Sequence, residues 1–261
     1  MAPNELPGLT SRRDFVARLA LSAAGGVVGC KTRFGTPDFD TEPARLTARV
    51  VAPTRSITPG GHNLGLAAGR DGLLYVPQSY RPTTPAPLMI LLHGAGGNAN
   101  NWFGSYGTRA DTLGVVMLAP ESRGSTWDAI QGAFGRDVDF MDSALRFTFE
   151  RVAIDPARIA IAGFSDGASY AISLGLPNGD LFTHVVAYSP GFIREQNPNG
   201  KPPVFISHGT NDAILPIDAT SRVIVPALRA RGYVVTYHEF SGGHEVPAAI
   251  STQGLDWFLG R

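Results

Sequence analysis

This sequence has a single cysteine and no excess of either charge. Cys30 is the only cysteine, so no disulfide can form within the chain. Basic and acidic residues balance at 22 each, and the net charge of zero gives no field that would draw the protein to nucleic acid or to an acidic surface. The sequence therefore predicts no nucleic-acid partner.

Long apolar runs and internal repeats are also missing. A membrane-spanning helix needs about 18 or more consecutive apolar residues, and no such run occurs. No segment recurs at a fixed spacing, as it would in a solenoid protein. The chain does have 261 residues, of which 43% are hydrophobic. That is enough for one sizeable core with additional residues outside it.

The first 30 residues are typical of an export signal. Arg12 and Arg13 precede an uncharged segment of small and apolar residues at 19–29, which runs into Cys30. This pattern resembles a twin-arginine signal joined to a bacterial lipoprotein cleavage site. It predicts export from the bacterial cytoplasm and a membrane anchor, in the periplasm or on the outer surface, formed only by a lipidated Cys30. The alternative is a soluble N-terminal helix with a buried cysteine.

Residues 31–63 predict a tether that follows the signal. They contain four prolines, many threonines and no helical period, a composition that favours an extended spacer. An edge strand over residues 46–51 is the alternative for part of this segment. The folded domain is then expected over residues 64–261.

From residue 64 onward, short apolar runs alternate with helical segments. Asp71-Gly72 favours a hairpin of two antiparallel strands, and Asp155-Pro156 is expected to break the chain before a later strand. Further strands are expected at 87–94, 115–120, 158–165, 184–190, 203–209 and 234–240, and helices at 137–151, 166–176, 217–231 and 246–259. This order predicts an α/β fold in which a mostly parallel open sheet, with antiparallel first strands, carries helices on both faces. The connections leave no room for a large lid domain.

The segment GFSDG, at 163–167, raises the first functional question. Ser165 lies between two glycines where a strand is expected to become a helix. The G-x-S-x-G pattern surrounds nucleophilic serines in one class of hydrolases, but a tight turn would explain the same residues. Its surroundings help to decide, because ligands of parallel open sheets bind at the carboxyl ends of the strands.

Polar residues follow three of the expected strands. Ser165 follows one strand, Asp212 another and His244 the last. Serine, acid and histidine in this order form the catalytic triad of that class of hydrolases. The sequence therefore predicts that Ser165 is a nucleophile, that His244 takes and returns its proton, and that Asp212 orients His244.

Two residues are rivals for these roles. His208 is a second histidine at a strand end, but it belongs to the end that presents Asp212. Asp218 is a second acid, but it begins an expected helix as a capping residue would. Three further histidines have no partner among the polar residues that follow the expected strands. They are His62, His184 and His238.

Five motifs together resemble a known family. They are LLHGAGGNANNW, APESRGSTWD, AGFSDGASYA, FISHGTNDAILP and FSGGHEVP. They are similar to the phospholipase/carboxylesterase group of serine α/β-hydrolases, whose kin include dienelactone-hydrolase-like esterases, feruloyl esterases and polyhydroxybutyrate depolymerases. The resemblance covers residues 64–260 and implies an α/β-hydrolase fold and hydrolysis of a small-molecule ester or a polyester through an acyl-enzyme. One departure is Asp166, where these relatives often have Gln, Met or Ala.

An ester hydrolase also needs donors for the oxyanion that develops during the reaction. The backbone N–H groups of Asp166 and Ala95 are the candidates, and the loop around Ala95 contains His93, Gly94, Gly96 and Gly97. A phosphate-binding loop would need a lysine motif that is missing here. No set of residues has the spacing of metal ligands, so neither a metal nor a cofactor is expected.

Large apolar residues in or beside the motifs are candidates for a substrate pocket, although each would also be ordinary in a core. They are Trp102, Trp127, Phe164, Ile214 and Leu215. Two alternative functions remain at this point: an exopeptidase of the same fold, and a catalytically silent lipoprotein that binds at a surface.

Overall fold

The protein is described by a computed structural model that covers residues 44–194 and 197–261. Within that part of the chain, eight strands form one sheet: β1 (Gly60–Asn63), β2 (Gly72–Val76), β3 (Ala86–Leu92), β4 (Val116–Pro120), β5 (Ile154–Phe164), β6 (His184–Tyr188), β7 (Val204–Gly209) and β8 (Val235–Phe240). The α-helices are α1 (Asn100–Leu113), α2 (Asp128–Gln131), α3 (Arg136–Phe149), α4 (Asp166–Gly175), α5 (Ser221–Ala230) and α6 (Ala248–Leu259).

The strand order in the sheet is β1-β2-β4-β3-β5-β6-β7-β8. Strand β2 pairs antiparallel with both β1 and β4, and all the other pairs are parallel. This topology confirms the predicted fold, a mostly parallel sheet with antiparallel first strands. No helix in the described residues is long and apolar enough to cross a bilayer.

Helices cover both faces of the sheet and enclose two apolar cores. Successive side chains of a strand point to opposite faces, so Ile159 and Ile161 of β5 enter the core under α3, α4 and α5. Ala160 and Ala162 of the same strand enter the core under α1 and α6. Both cores hold the carboxyl ends of the parallel strands in place, and the candidate site lies at those ends.

The expected tether is wrong from residue 44 onward. Leu46 and Ala48 are each 2% exposed and belong to the core under α3, α4 and α5. The backbone N–H of Leu46 donates to Asn178, and that of Ala48 donates to Asp142 of α3. The alternative of an edge strand over 46–51 is also wrong, since this segment joins no strand. The predicted signal, Cys30 and residues 31–43 lie outside the described residues.

The expected hairpin is wrong in its position. Strand β1 lies within the expected tether, and an eight-residue loop connects it to β2, which begins at Gly72. Asp71 closes this loop because its carboxylate accepts hydrogen bonds from the N–H groups of Gly65 (2.7 Å) and Leu66 (3.0 Å). The Asp71-Gly72 pair therefore ends a loop instead of forming a two-residue turn.

Two further differences concern local structure. Helix α1 was not predicted, because asparagine and glycine interrupt its sequence, although Trp102, Tyr106 and Ala110 recur every four residues and are buried. Asp155 and Pro156 do not break the chain before β5 but lie inside it, where the pairing with β3 shifts register. The other expected elements agree with the structure to within about four residues at each end.

Candidate active site

Ser165 lies in a sharp turn between β5 and α4. Its φ of 57° and ψ of −120° are unusual for serine, and such a conformation costs on the order of 1–3 kcal/mol. The flanking glycines make the turn possible. A Cβ at Gly163 would overlap the backbone of Gly167, and a Cβ at Gly167 would overlap the carbonyl of Leu92. The turn therefore holds the serine side chain at the carboxyl edge of the sheet.

Three side chains from different strand ends form a continuous hydrogen-bonded chain. Ser165 Oγ lies 2.8 Å from His244 Nε2, and His244 Nδ1 lies 2.6 Å from Asp212 Oδ2. The carboxylate accepts a hydrogen bond from Nδ1–H, so Nε2 keeps a lone pair directed at the serine hydroxyl. The ring of Phe164 lies 4.7 Å from that of His244 and supports it.

The carboxylate of Asp212 is fully buried and fully bonded. Its Oδ1 accepts hydrogen bonds from the N–H groups of Ile214 (2.9 Å) and Leu215 (2.8 Å). Burial acts to raise the pKa of Asp212, but these N–H donors and His244 together bring it below its ordinary value. Asp212 is therefore ionised at neutral pH.

His208, the rival histidine, lies behind the acid and not beside the serine. Its Nε2 donates to the carbonyl of Leu215 at 2.8 Å and lies 3.1 Å from Asp212 Oδ2. Its Nδ1 lies 2.7 Å from Ser221 Oγ. Burial lowers the pKa of His208, so the ring is neutral and packs against the acid without charge.

Asp218 and the three other histidines lie away from the serine. The side chain of Asp218 is 81% exposed and forms an ion pair with Arg222. His62 bonds to the carbonyl of Thr58, and His184 and His238 pack against aromatic rings.

The loop after β3 forms a tight turn beside Ser165. Gly97 N–H donates to Gly94 O at 3.0 Å, and Gly96 has a φ of +69°, as the third residue of a type II turn requires. Among the described residues, none accepts a hydrogen bond from the N–H of Ala95 or from that of Asp166. Both donors are therefore available at the positions where the sequence predicts an oxyanion hole.

His93 holds this turn from inside. Its ring is buried, and burial lowers its pKa. Nδ1 donates to Gly94 O at 2.7 Å, while Nε2 accepts from Ser122 N–H at 3.1 Å. The Trp127 indole donates to His93 O at 2.8 Å. His93 is thus a structural residue of the turn.

A cavity of about 340 Å³ adjoins the turn. It is lined by His93, Gly94, Ala95 and Gly97 of the turn and by Asn101, Trp102, Tyr106, Phe164, Val246 and Ser251. Two of the five pocket candidates, Trp102 and Phe164, therefore line it.

The other three pocket candidates do not line this cavity. Trp127 is 1% exposed and stacks with Tyr170 in the core. Ile214 is 57% exposed. The backbone N–H of Leu215 donates a hydrogen bond to the carboxylate of Asp212. Their position next to a motif in sequence did not place their side chains at the cavity.

Three residues near the site were missed by the sequence analysis. Arg70 contacts the turn after β3, Thr126 bonds to Asp166, and Tyr106 lines the cavity. Helical spacing with Trp102 could have indicated Tyr106. No pattern in the sequence indicates Arg70, because it lies in the loop whose position was predicted wrongly.

Within residues 44–194 and 197–261, no group of three or more His, Cys, Asp or Glu side chains is arranged to hold a metal ion.

Comparison with known proteins identifies the family. The Phospholipase/Carboxylesterase family profile matches residues 140–250. The chain is 29% identical over 158 residues to feruloyl esterase C of Emericella nidulans, covering 58% of this chain and 57% of that protein. It is 30% identical over 189 residues to a probable feruloyl esterase C of Aspergillus clavatus, covering 66% of this chain and 67% of that protein. The chain therefore belongs to the same family as the Aspergillus clavatus protein, within the α/β-hydrolase fold.

Solved structures show the same fold for this chain. It aligns with the crystal structure of the Bacillus cereus carboxylesterase at a TM-score of 0.57 and 22% identity, covering 74% of this chain and 95% of that one. The match to the Emericella nidulans enzyme spans just over half of that enzyme's length.

Proposed function

We propose that the protein hydrolyses carboxylic esters through an acyl-enzyme formed on Ser165. The observation that carries this proposal is the hydrogen-bonded chain from Ser165 through His244 to Asp212, with lengths of 2.8 and 2.6 Å. The family to which the chain belongs supports the same reaction.

The geometry supports a separate role for each group in the proposed reaction. His244 Nε2 takes the hydroxyl proton as Ser165 Oγ bonds to the ester carbon, and Asp212 stabilises the imidazolium that forms. The N–H groups of Ala95 and Asp166 stabilise the negative charge on the carbonyl oxygen. His244 then gives its proton to the departing alcohol. A water molecule then attacks the acyl-enzyme, with His244 again taking a proton and returning it to Ser165 Oγ. This step releases the acid and restores the serine.

The substrate that we propose is a small-molecule ester or an accessible ester of a polymer. The cavity beside the turn is small, at about 340 Å³, and its lining residues include Trp102, Tyr106 and Phe164. This volume is near the lower end for ligand pockets. Aromatic walls suit an aromatic ester, in agreement with the feruloyl esterases among the relatives.

We also propose that the protein is exported and anchored by a lipid. This proposal rests only on Arg12 and Arg13, the uncharged segment at 19–29 and Cys30.

The decisive experiment compares Ser165→Ala with the wild type. Removal of the nucleophile should lower kcat for esters by about 10⁴-fold or more and abolish labelling by a fluorophosphonate. The control is Ser143→Ala on α3, which should be labelled and should turn over as the wild type does. Ester hydrolysis by Ser165→Ala at a comparable rate would contradict the proposal.

A panel of esters and one peptide amide, assayed with the wild type, separates an esterase from an exopeptidase. Absence of any turnover would instead favour a binding protein.

A further inference from the structure

We propose that Arg70, in the loop between β1 and β2, is a positioning residue for the oxyanion hole. It holds the turn that presents the N–H of Ala95. This inference rests on the proposed ester hydrolysis and adds to it a residue that does not touch the reacting atoms.

The guanidinium of Arg70 joins the loops after two neighbouring strands. Its Nη2 donates to Gly97 O at 2.7 Å and lies 3.0 Å from His93 Nε2, so it contacts the loop after β3. Its Nε donates to Ser122 O at 2.5 Å, so it also contacts the loop after β4. The carboxylate of Glu121 lies 3.9 Å from the same nitrogen. Only a planar group with several fixed donors can make these contacts together.

The contact with Gly97 bears directly on the oxyanion hole. Gly97 is the last residue of the turn that begins at Gly94, and Ala95 is the second. The N–H of the second residue takes no part in the hydrogen bond of such a turn, so its direction depends on how the turn is held. Arg70 holds the turn at Gly97 O, and Ser125 O holds it at Gly96 N–H (2.7 Å).

The loop that delivers Arg70 is itself well ordered by hydrogen bonds. Asp71 bonds through its carboxylate to the N–H groups of Gly65 and Leu66, and its carbonyl accepts from Glu121 N–H at 2.9 Å. The loop is therefore attached to the end of β4 next to the arginine. This explains why eight residues separate β1 from β2 where a two-residue turn would join the strands.

The expected effect of losing Arg70 is on the transition state. The turn would keep its Gly94–Gly97 bond, but the N–H of Ala95 would be less well directed at the developing oxyanion. Because the oxyanion exists only after attack, kcat should fall while KM changes little. A purely structural role would change the amount of folded protein instead.

The test compares Arg70→Met and Arg70→Lys with the wild type and with Arg158→Met. Arg158 also forms an ion pair, with Asp155 in the register shift of β5, and serves as the matched control. We expect Arg70→Met to lower kcat by about 10- to 100-fold, less than the roughly 100- to 1000-fold that follows outright loss of an oxyanion donor, with KM changed by less than about threefold. Arg70→Lys should lie between Arg70→Met and the wild type, and Arg158→Met should match the wild type. Added methylguanidinium should restore part of the activity of Arg70→Met.

A second readout is independent of turnover. A boronic acid bonds to the serine and places an oxygen in the oxyanion hole, so its affinity should fall in parallel with kcat in Arg70→Met. An unchanged kcat and boronate affinity in a folded Arg70→Met variant would overturn the role of Arg70, while the wild type still hydrolysed esters. If the fluorophosphonate fails to label wild-type Ser165 and no ester is hydrolysed, the proposed function is wrong, and the role of Arg70 is wrong with it.

Discussion

Thr126 donates a 2.7 Å hydrogen bond from its hydroxyl to the carboxylate of Asp166. Asp166 directly follows Ser165, and in the proposed mechanism its backbone N–H stabilises the oxyanion, so one residue combines a donor with a negative charge. The first turn of α4 stabilises that charge by about 0.3–1 kcal/mol through the helix dipole. The bond to Thr126 directs the carboxylate toward the loop after β4, but its charge stays close to the site.

We therefore expect the enzyme to disfavour esters that carry a carboxylate near the scissile bond. Asp166→Asn should narrow the gap in kcat/KM between a neutral ester and a matched anionic ester by about tenfold, or about 1.4 kcal/mol. Rates for neutral esters should change little. Thr126→Ser keeps the hydroxyl donor and serves as the control. An unchanged ratio in Asp166→Asn would show that the charge is screened and that this residue acts only in its helix.

The stability of the protein should fall as the pH falls from about 7.5 to 5.5. Burial lowers the pKa values of His93, His184 and His208, whereas the unfolded chain has an ordinary histidine pKa of about 6.5. Below that pH the unfolded state takes up protons that the folded state does not, so the free energy of unfolding decreases. The stabilisation from these three histidines is complete at pH values above the histidine pKa of the unfolded chain. It is lost as the pH falls toward the lower pKa values of the same histidines in the folded protein.

His184 is the best histidine for testing this prediction, because its ring packs against Trp257 and Phe258 and not in the candidate site. His184→Gln should make the free energy of unfolding, measured in urea at several pH values, less dependent on pH over this interval. A variant with the same slope as the wild type would contradict the prediction.

Residues 44–48 should contribute to the stability of the domain. Leu46 is 2% exposed, so Leu46→Ala should lower the free energy of unfolding by about 2–4 kcal/mol. Val51 is 51% exposed, and Val51→Ala should cost less than about 0.5 kcal/mol. Urea unfolding of the two variants measures both. Equal effects would mean that the segment does not belong to the core.

Export is tested in a native host cell. Replacing Arg12 and Arg13 with lysine should retain the precursor in the cytoplasm, because the twin-arginine pair is the recognition element. Cys30→Ala should abolish lipid attachment, measured by mass spectrometry of the mature N-terminus. A mature protein that begins upstream of Cys30 would contradict lipidation at this residue.

The sequence predicts the fold well where apolar runs form buried parallel strands. The strands from β3 to β7 contain such runs, and these runs predicted the parallel part of the sheet. Prediction failed where polar contacts decide the structure. The loop before β2 depends on the carboxylate of Asp71, and the burial of residues 44–48 depends on Asp142 and Asn178.

The candidate site shows the same division. His244 lies within hydrogen-bonding distance of both Ser165 and Asp212, and the position of all three just past strand ends made them recognisable in the sequence. Arg70 was not recognisable, because its partners are carbonyl groups and a histidine ring distant in sequence. Backbone acceptors leave no trace in a sequence motif.

The backbone conformation of Ser165 reverses the usual order of stability between alanine and glycine substitutions at this position. At an ordinary position alanine is more stabilising than glycine, since it restricts the unfolded chain. At a φ of 57° and a ψ of −120° the Cβ is disfavoured, so Ser165→Gly should be more stable than Ser165→Ala by about 1 kcal/mol. Natural selection for a serine at this turn therefore retains a local cost in folding free energy, and a variant that cannot catalyse can be the more durable protein.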